Sequence, residues 1–313
     1  MPVKPFLKWA GGKNQLLEQI KKNLPDELAS GSITRYIEPF IGGGAVLFHI
    51  AQFPEIEDFF ISDINADLVL AYKTIQINVE DLITFLEEIQ SKYLSLNEEE
   101  RQKYFYHTRL QFNSERERIN FQNYHNSWIK RTAQIIFLNR TCFNGLFRVN
   151  SQGDFNVPVG RYKKPTICDP NNLRAVAQVL QKTQIHCGDF TECEEFVNEQ
   201  SLVYLDPPYR PISKTANFTS YSEKTFDDSE QLRLRDFFKL LDRKGAKILL
   251  SNSAPQNEEV TENFFEKAYQ EYQIKIVRAT RNINSNGSKR GMINELLIMN
   301  YRSPESVINF SHL

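Results

Sequence analysis

What the 313-residue chain lacks narrows its function before any motif is considered. Its four cysteines, Cys142, Cys168, Cys187 and Cys193, form no Cys-x-x-Cys pair and lie near no histidine cluster. Neither a zinc site nor a disulfide framework is therefore expected, no metal is assigned, and reduced thiols of a cytoplasmic protein are the default. No apolar run reaches the roughly 20 residues that span a bilayer. The segment from Met1 to Pro5 leads into mixed sequence without the apolar centre of a secretory signal, so no membrane association is expected. Charge of one sign is also missing: 38 Lys and Arg stand against 39 Asp and Glu. Bulk attraction to a polyanion is thereby excluded, and any nucleic-acid binding must come from the distribution of charge. No internal repeat or low-complexity tract is present.

What is there resembles a large soluble domain or two modest ones. Short β-rich runs cover 35–40, 59–63, 184–189, 202–206, 246–252, 273–279 and 295–301. Most are largely apolar, as expected for strands covered on both faces. Helical patterns lie between them at 16–24, 45–52 and 229–241, the last with Leu232, Leu234, Phe237, Phe238, Leu240 and Leu241 at helical spacing. This alternation predicts a doubly wound α/β sheet. From Leu68 to Thr132 the rhythm breaks into helical, polar and aromatic sequence, clearest at 81–89 and 98–112. The stretch 139–160, rich in Asn, Gly and aromatics, predicts a hairpin or ordered loop. We therefore expect a discontinuous domain, 1–67 with 166–313, carrying an inserted domain at 68–165.

Three motifs carry chemistry. Asp206-Pro207-Pro208-Tyr209 follows the apolar run 202–205, and ligands of open α/β sheets bind beyond the carboxyl ends of strands. A carboxylate, a stiff loop whose prolines keep carbonyl acceptors, and an aromatic ring suit a flat, amine-bearing ring. The same tetrapeptide alone also fits an ordinary strand-end turn. Phe40-Ile41-Gly42-Gly43-Gly44 follows the first predicted strand, and Asp63 ends the next. Glycines let a ligand approach the backbone, and an acidic residue about 20 positions later suits a ribose. This pairing fits nicotinamide or S-adenosylmethionine, although Leu47 replaces the third glycine of the dinucleotide fingerprint. Lys8-Trp9-Ala10-Gly11-Gly12-Lys13 places an indole and two ammonium groups around a Gly-Gly pair. It lacks the spacing of a phosphate-binding P-loop; Trp9 could cover a purine and Lys13 meet a carboxylate. Between Ile129 and Pro165 the charged residues are Lys130, Arg131, Arg140, Arg148, Arg161, Lys163 and Lys164 against Asp154 alone. Such a patch suits phosphate contacts, or simply a solvated basic face.

Together these blocks resemble the Dam-type DNA adenine-N6 methyltransferases, the D12 class within the alpha group of amino-methyltransferases. The resemblance rests on 6–13, Glu38-Pro39-Phe40-Ile41-Gly42-Gly43-Gly44 and Asp206-Pro207-Pro208-Tyr209, and continues through 138–148, 155–162, Thr215–Thr219 and Asn294-Glu295-Leu296-Leu297, in the family's order. It implies a Rossmann-like mixed seven-stranded sheet with an inserted, mainly helical recognition domain carrying a β-hairpin or loop. It also implies S-adenosylmethionine as methyl donor, bound by Trp9, Lys13, Phe40, Gly42, Gly44, Asp63 and Asp206, with Asp189 a weaker candidate for the cofactor's adenine. Asp206, Pro207 and Tyr209 would be catalytic, and Thr215–Thr219 would help hold the extruded nucleotide. On double-stranded DNA, Arg148 and Lys8 would each read a guanine, Phe143 and Asn144 would border the gap left by a flipped base, and Leu146 and Pro158 would touch thymine-side groups. The family's pattern has tyrosine where Phe143 stands, so a ring remains without its hydroxyl. Arg140, Arg161, Lys163, Lys164, Lys289 and Arg290 would meet phosphates. The implied target is GATC, read by a monomer with no stable protein partner, alone or beside a cognate restriction endonuclease. Competing readings are an amino-group methyltransferase of protein, RNA or small molecules, a non-catalytic DNA-binding relative, and a dehydrogenase.

Overall fold

The structure, a computed structural model, describes residues 3–9, 11–13, 16–210, 226–254, 264–280 and 292–303. Seven strands form one sheet: β1 (Arg35–Glu38), β2 (Asp58–Asp63), β3 (Thr183–Cys187), β4 (Ser201–Leu205), β5 (Lys247–Ser253), β6 (Gln273–Thr280) and β7 (Met292–Met299), in the order β3-β2-β1-β4-β5-β7-β6. The first five in that order are parallel, and β7 runs antiparallel between β5 and β6. Each predicted strand is found, with ends shifted by a few residues. The chain leaves the sheet in opposite directions after β1 and β4, which are neighbours. That reversal opens a crevice at their carboxyl ends, the place where α/β sheets bind ligands.

Strand side chains alternate between faces, and the two faces carry separate cores. Tyr36, Phe59, Ile61, Leu202, Tyr204, Leu249 and Leu297 pack into one cluster with α1 (Leu17–Lys22), α2 (Asp26–Ala29), α3 (Ala45–Ile50), α4 (Ala66–Ser95) and α7 (Pro170–Leu180). Ile37, Phe60, Val203, Leu205, Ile248, Leu250 and Ile298 pack on the other side against α8 (Asp228–Arg243) and α9 (Phe264–Ala268). Strand β4 is buried throughout, in keeping with its central place.

Between β2 and β3 the chain forms α4, α5 (Glu98–Glu115) and α6 (Ser127–Thr141) before reaching α7. Helix α4 is kinked at Asn78, whose backbone leaves the helical region (φ −147°, ψ 64°). Asn97 and Glu100 close a reciprocal capping box at the start of α5. Phe105, Phe112, Phe137, Phe147 and Phe155 belong to the same cluster as α4 and the sheet, so this helical segment shares its apolar core with the sheet rather than owning one. A buried ion pair joins α6 to α4: Arg131 Nε and Nη2 donate to Asp67 Oδ1 and Oδ2 at 2.7 and 3.0 Å. The guanidinium also lies over the Phe112 ring and donates to the Phe112 carbonyl. Helix α6 runs to Thr141, past the point where a loop was predicted to begin. Beyond it, antiparallel pairing within 142–159 consists of two isolated bridges, Cys142 with Val159 and Val149 with Phe155.

Candidate active site

Strand β1 delivers its chain into the glycine turn at the centre of the crevice. Gly42 and Gly44 take left-handed backbone angles, φ 46° and 72°. Space excludes side chains there as well: a Cβ on Gly42 would lie 2.9 Å from Trp9 Cδ1, and one on Gly44 2.6 Å from the Tyr72 hydroxyl. Asp63, at the end of β2, holds the turn from below. Its Oδ2 accepts from the Gly42 amide at 3.1 Å and its Oδ1 from the Asn65 amide at 3.0 Å. Burial raises the Asp63 pKa above the usual carboxylate range, against the pull of these amides. Tyr72 from α4 donates to the Gly42 carbonyl at 3.1 Å. Trp9 lies half-buried over the turn and stacks on Phe147, centroids 5.1 Å apart and 17° from parallel. Phe40 stacks on Phe190 at 5.3 Å.

Asp189 follows β3 at the rim of this region. Both its oxygens accept from Arg233 of α8, at 2.8 and 2.7 Å, and Oδ1 also accepts from the Thr191 amide and hydroxyl. The Arg233 hydrogen bonds hold its carboxyl well below the usual range. Any ligand amine at Asp189 must share it with that guanidinium.

Asp206-Pro207-Pro208-Tyr209 continues from β4 beside the glycine turn. Lys13 Nζ lies 2.9 Å from Asp206 Oδ1 and 3.8 Å from Glu295 Oε2, and also donates to the Tyr209 hydroxyl. The lysine is buried, while Asp206 keeps 19% of its side chain exposed. Its ammonium also lies 4.2 Å from the Tyr209 ring centroid. The Tyr209 hydroxyl donates to Glu295 Oε2 at 2.6 Å. Ser251 Oγ donates to Asp206 Oδ1 at 3.0 Å and shares a hydrogen bond of 3.0 Å with the Tyr204 hydroxyl. Burial raises the Asp206 pKa, with Lys13 pulling the other way by charge and hydrogen bond. Burial also pushes the Tyr209 phenol well up, and the nearby Asp206 and Glu295 charges add to this. One strand away, Glu38 is buried, accepts from the Tyr36 hydroxyl at 2.7 Å, and is likewise raised by desolvation. Residue type and spacing alone give no role to Ser251, Glu295 or Glu38. Glu38 and Glu295 stand within blocks that carried the family resemblance; Ser251 had no such signal, because its role depends on β5 lying beside β4.

The second group of expected residues gathers around the end of α6. Asn139, fully buried, accepts from the Lys8 amide at 2.8 Å and donates to the Lys8 and Gly145 carbonyls at 2.8 and 3.0 Å. It ties the N-terminal segment to the 143–145 turn, and so brings Lys8 beside Phe143 and Asn144 despite their distance in sequence. Phe143 is 54% exposed, and Asn144 takes a left-handed angle, φ 59°. With Val159, Gly160, Arg161 and Tyr162 these two residues line an open cleft of about 450 Å³. Lys8 Nζ lies 5.6 Å from the Tyr162 ring centre. Pro158 is exposed and its carbonyl accepts from the Phe143 amide at 2.8 Å; Leu146 is half-buried. Arg148 is half-buried, and its Nε donates to Asn156 Oδ1 at 2.8 Å.

The basic patch expected over 129–165 is smaller in space than in sequence. Arg131 is sealed in the core by Asp67, and Lys130 pairs with Glu115 at 2.7 Å. Arg140 is half-buried and its Nη2 donates to the Phe6 carbonyl at 2.9 Å, an internal strut where an open phosphate contact was expected. Burial lowers its pKa. Arg161, Lys163 and Lys164 are exposed. Thr215–Thr219, Lys289 and Arg290 lie outside the described residues, as does Ala10. No cluster of three or more His, Cys, Asp or Glu suited to a metal ion is found among the described residues. No helix among the described residues is long and apolar enough to cross a membrane.

A mixed sheet with an antiparallel β7, a glycine turn and an Asp-Pro-Pro-Tyr loop at its point of reversal is the architecture of an α/β methyltransferase. The chain belongs to the D12 class of N6 adenine-specific DNA methyltransferases, whose family pattern matches residues 9–283. It is 50% identical over 302 residues to the type II methyltransferase M.MjaIII of Methanocaldococcus jannaschii, covering 96% of this chain and 100% of that protein. It is 37% identical to the type II methyltransferase M1.LlaDCHI of Lactococcus lactis subsp. cremoris, covering 96% of each. To the DNA adenine methylase of Escherichia coli it is 31% identical, covering 94% of each.

Proposed function

We propose that the protein transfers a methyl group from S-adenosylmethionine to the exocyclic N6 of an adenine turned out of duplex DNA, with GATC as the target. The observation that carries this reading is the convergence of the Asp206-Pro207-Pro208-Tyr209 loop and the Gly42–Gly44 turn at one crevice, with Lys13 bonded to Asp206. The residues present suit the methyl donor. Gly42 and Gly44 leave a cradle that a Cβ would fill, Phe40 and Trp9 offer half-buried aromatic faces, and Asp63 and Asp206 supply carboxylates. When bound, S-adenosylmethionine supplies an electrophilic methyl group on a sulfonium that is a good leaving group.

The rest of the task falls to this chain. The adenine amine is a poor nucleophile because its lone pair is delocalised into the ring. Asp206 and the Pro207 carbonyl accept hydrogen bonds from its two N–H groups, favour a more tetrahedral nitrogen, and stabilise the positive charge that develops there until the methylated nitrogen releases one proton to solvent. Ser251 and Lys13 both engage Oδ1 of Asp206, which leaves Oδ2 to accept from the amine. Alignment supplies much of the rate. The adenine is inaccessible inside a duplex and must be extruded at a cost of a few kcal/mol. Stacking on Tyr209 offsets this by about 1–3 kcal/mol.

Residues 68–165 form the recognition unit in this reading. Phe143 and Asn144 border the vacated space, Arg148 and Lys8 read guanines, Leu146 and Pro158 meet thymine-side groups, and Arg161, Lys163 and Lys164 contact phosphates. Arginine forms a bidentate pair with guanine in the major groove, and the Asn156 contact sets the fork of Arg148 before DNA arrives. Base-resolution sequencing of duplex DNA treated with the protein and the donor tests the whole proposal. Methyladenine confined to GATC is expected. Methyladenine in another short site would overturn the target, and unmodified DNA would overturn the reaction.

A further inference from the structure

The loop that carries Tyr209 is held from behind by a polar brace, which includes the Ser251 contact to Asp206 and extends to groups that touch no reacting atom. The last three residues of β5 each contribute. Ser251 Oγ reaches Asp206 Oδ1 at 3.0 Å, and Ser253 Oγ donates to the Arg210 carbonyl at 3.1 Å. Asn252 points to the opposite face of the strand, into the apolar layer under α8, where it is fully buried. There its Nδ2 donates to Gln231 Oε1 at 3.1 Å. Gln231, 1% exposed on the first turns of α8, donates its own Nε2 to the Pro208 carbonyl at 3.1 Å. Asn252 Oδ1 accepts from the Ser253 amide at 2.9 Å and, in a longer contact of 3.4 Å, from the Arg210 amide. The two side chains thus engage the backbone carbonyl just before Tyr209 and the backbone amide just after it.

We propose that the Gln231–Asn252 amide pair is a positioning device for the acceptor loop, fixing the backbone on both sides of Tyr209 so that the Pro207 carbonyl and the Tyr209 ring meet the target base in register. The inference rests on the adenine-methylation reading of this loop. Two buried amides surrounded by Leu234, Phe238, Leu250 and their neighbours are a costly choice for a core, since apolar groups of similar shape would pack there without hydrogen bonds to satisfy. Their bonds end on the loop, and that is what distinguishes them from an ordinary buried pair.

Gln231→Glu separates the two roles. A carboxylate at 231 still accepts from Asn252, but, ionised, it cannot donate to the Pro208 carbonyl; protonated, it can. The variant should lose stability at neutral pH, where the buried acid is costly to ionise, and regain it as pH falls; folded, it should lose about 10–100-fold in the single-turnover methylation rate, the scale expected for a misplacement of about 1 Å. Its KM for S-adenosylmethionine should hold. Because burial raises a carboxyl pKa, the deficit should shrink as pH falls and the introduced acid protonates, relative to native protein at each pH. Gln231→Met, which can neither donate to Pro208 nor accept from Asn252, should show the loss without the pH-dependent recovery. It stands as the measurement if Gln231→Glu does not fold. Native rates in a folded Gln231→Met would overturn the brace, as would a deficit in Gln231→Glu that does not change with pH. Asp206→Ala assayed in parallel tests the reading beneath it: abolished transfer there with unimpaired Gln231 variants removes the brace alone, whereas full transfer in Asp206→Ala overturns both.

Discussion

At the scale of single residues the protein sets one carboxylate against its own burial. In the proposed reaction Asp206 acts as the ionised acceptor of the target amine, yet desolvation raises its pKa, and Lys13 at 2.9 Å is the group that opposes this most strongly. An acid limb in the methylation rate is therefore expected above the ordinary aspartate range, with rate lost as pH falls through the Asp206 pKa. Lys13→Met removes the opposing charge, so the limb should move to higher pH, measured as single-turnover rate at saturating donor. A limb that stays in place would separate Lys13 from the titration. The linkage to stability has the opposite sign. A carboxyl whose folded pKa lies above its unfolded value contributes stability at low pH that is lost as pH rises through the folded pKa. Asp206→Ala should accordingly remove this pH dependence of stability, read as melting temperature across pH, while nearly abolishing transfer; substantial residual turnover would sink its catalytic assignment.

At the scale of elements, the α4–α6 contact depends on a charge pair that only the fold reveals. Arg131 is 1% exposed and doubly bonded to Asp67. Removing one partner of such a pair costs about 3–5 kcal/mol, whereas replacing both with apolar groups is often neutral or better. Arg131→Met should therefore lower stability by about that amount in chemical denaturation, and Arg131→Met with Asp67→Leu should recover most of it. Additive losses would show that the guanidinium matters through Phe112 rather than through Asp67. This pair also explains the limit of reading the sequence. The strands were legible because a run such as Leu202–Leu205 is apolar enough to be buried wherever it pairs. The glycine turn and the Asp-Pro-Pro-Tyr loop were legible because their chemistry is local. The placement of β7 between β5 and β6 was not, since strand order and direction are decided by contacts distant in sequence. The same holds for the brace from Gln231 to Pro208 and for the fate of Arg131, Lys130 and Arg140. A basic residue is recognisable in a sequence; the acid or carbonyl that claims it lies many residues away.

At the scale of the whole molecule, a formal net charge of −1 means that overall attraction does not bring this protein to DNA. Binding must rest on where the uncommitted cations stand. In the structure, the exposed Arg161, Lys163 and Lys164 follow the aromatic cleft beside Phe143, whereas Arg148 is set back and oriented by Asn156. These two arrangements predict different behaviour in the same assay. A phosphate contact releases a counterion, so Arg161→Ala or Lys163→Ala should weaken binding evenly across sequences and reduce the slope of log K against log salt by about 1 each. Arg148→Ala should leave that slope nearly unchanged and relax base choice at one position of the site, at a cost of about 1–3 kcal/mol against the correct base. Binding titrations over a salt series, on GATC duplexes and on duplexes substituted at each position, distinguish the two. An even loss across all duplexes with a reduced slope in Arg148→Ala would make it a backbone contact, and the reader of guanine would then have to be sought among the other side chains bordering the cleft.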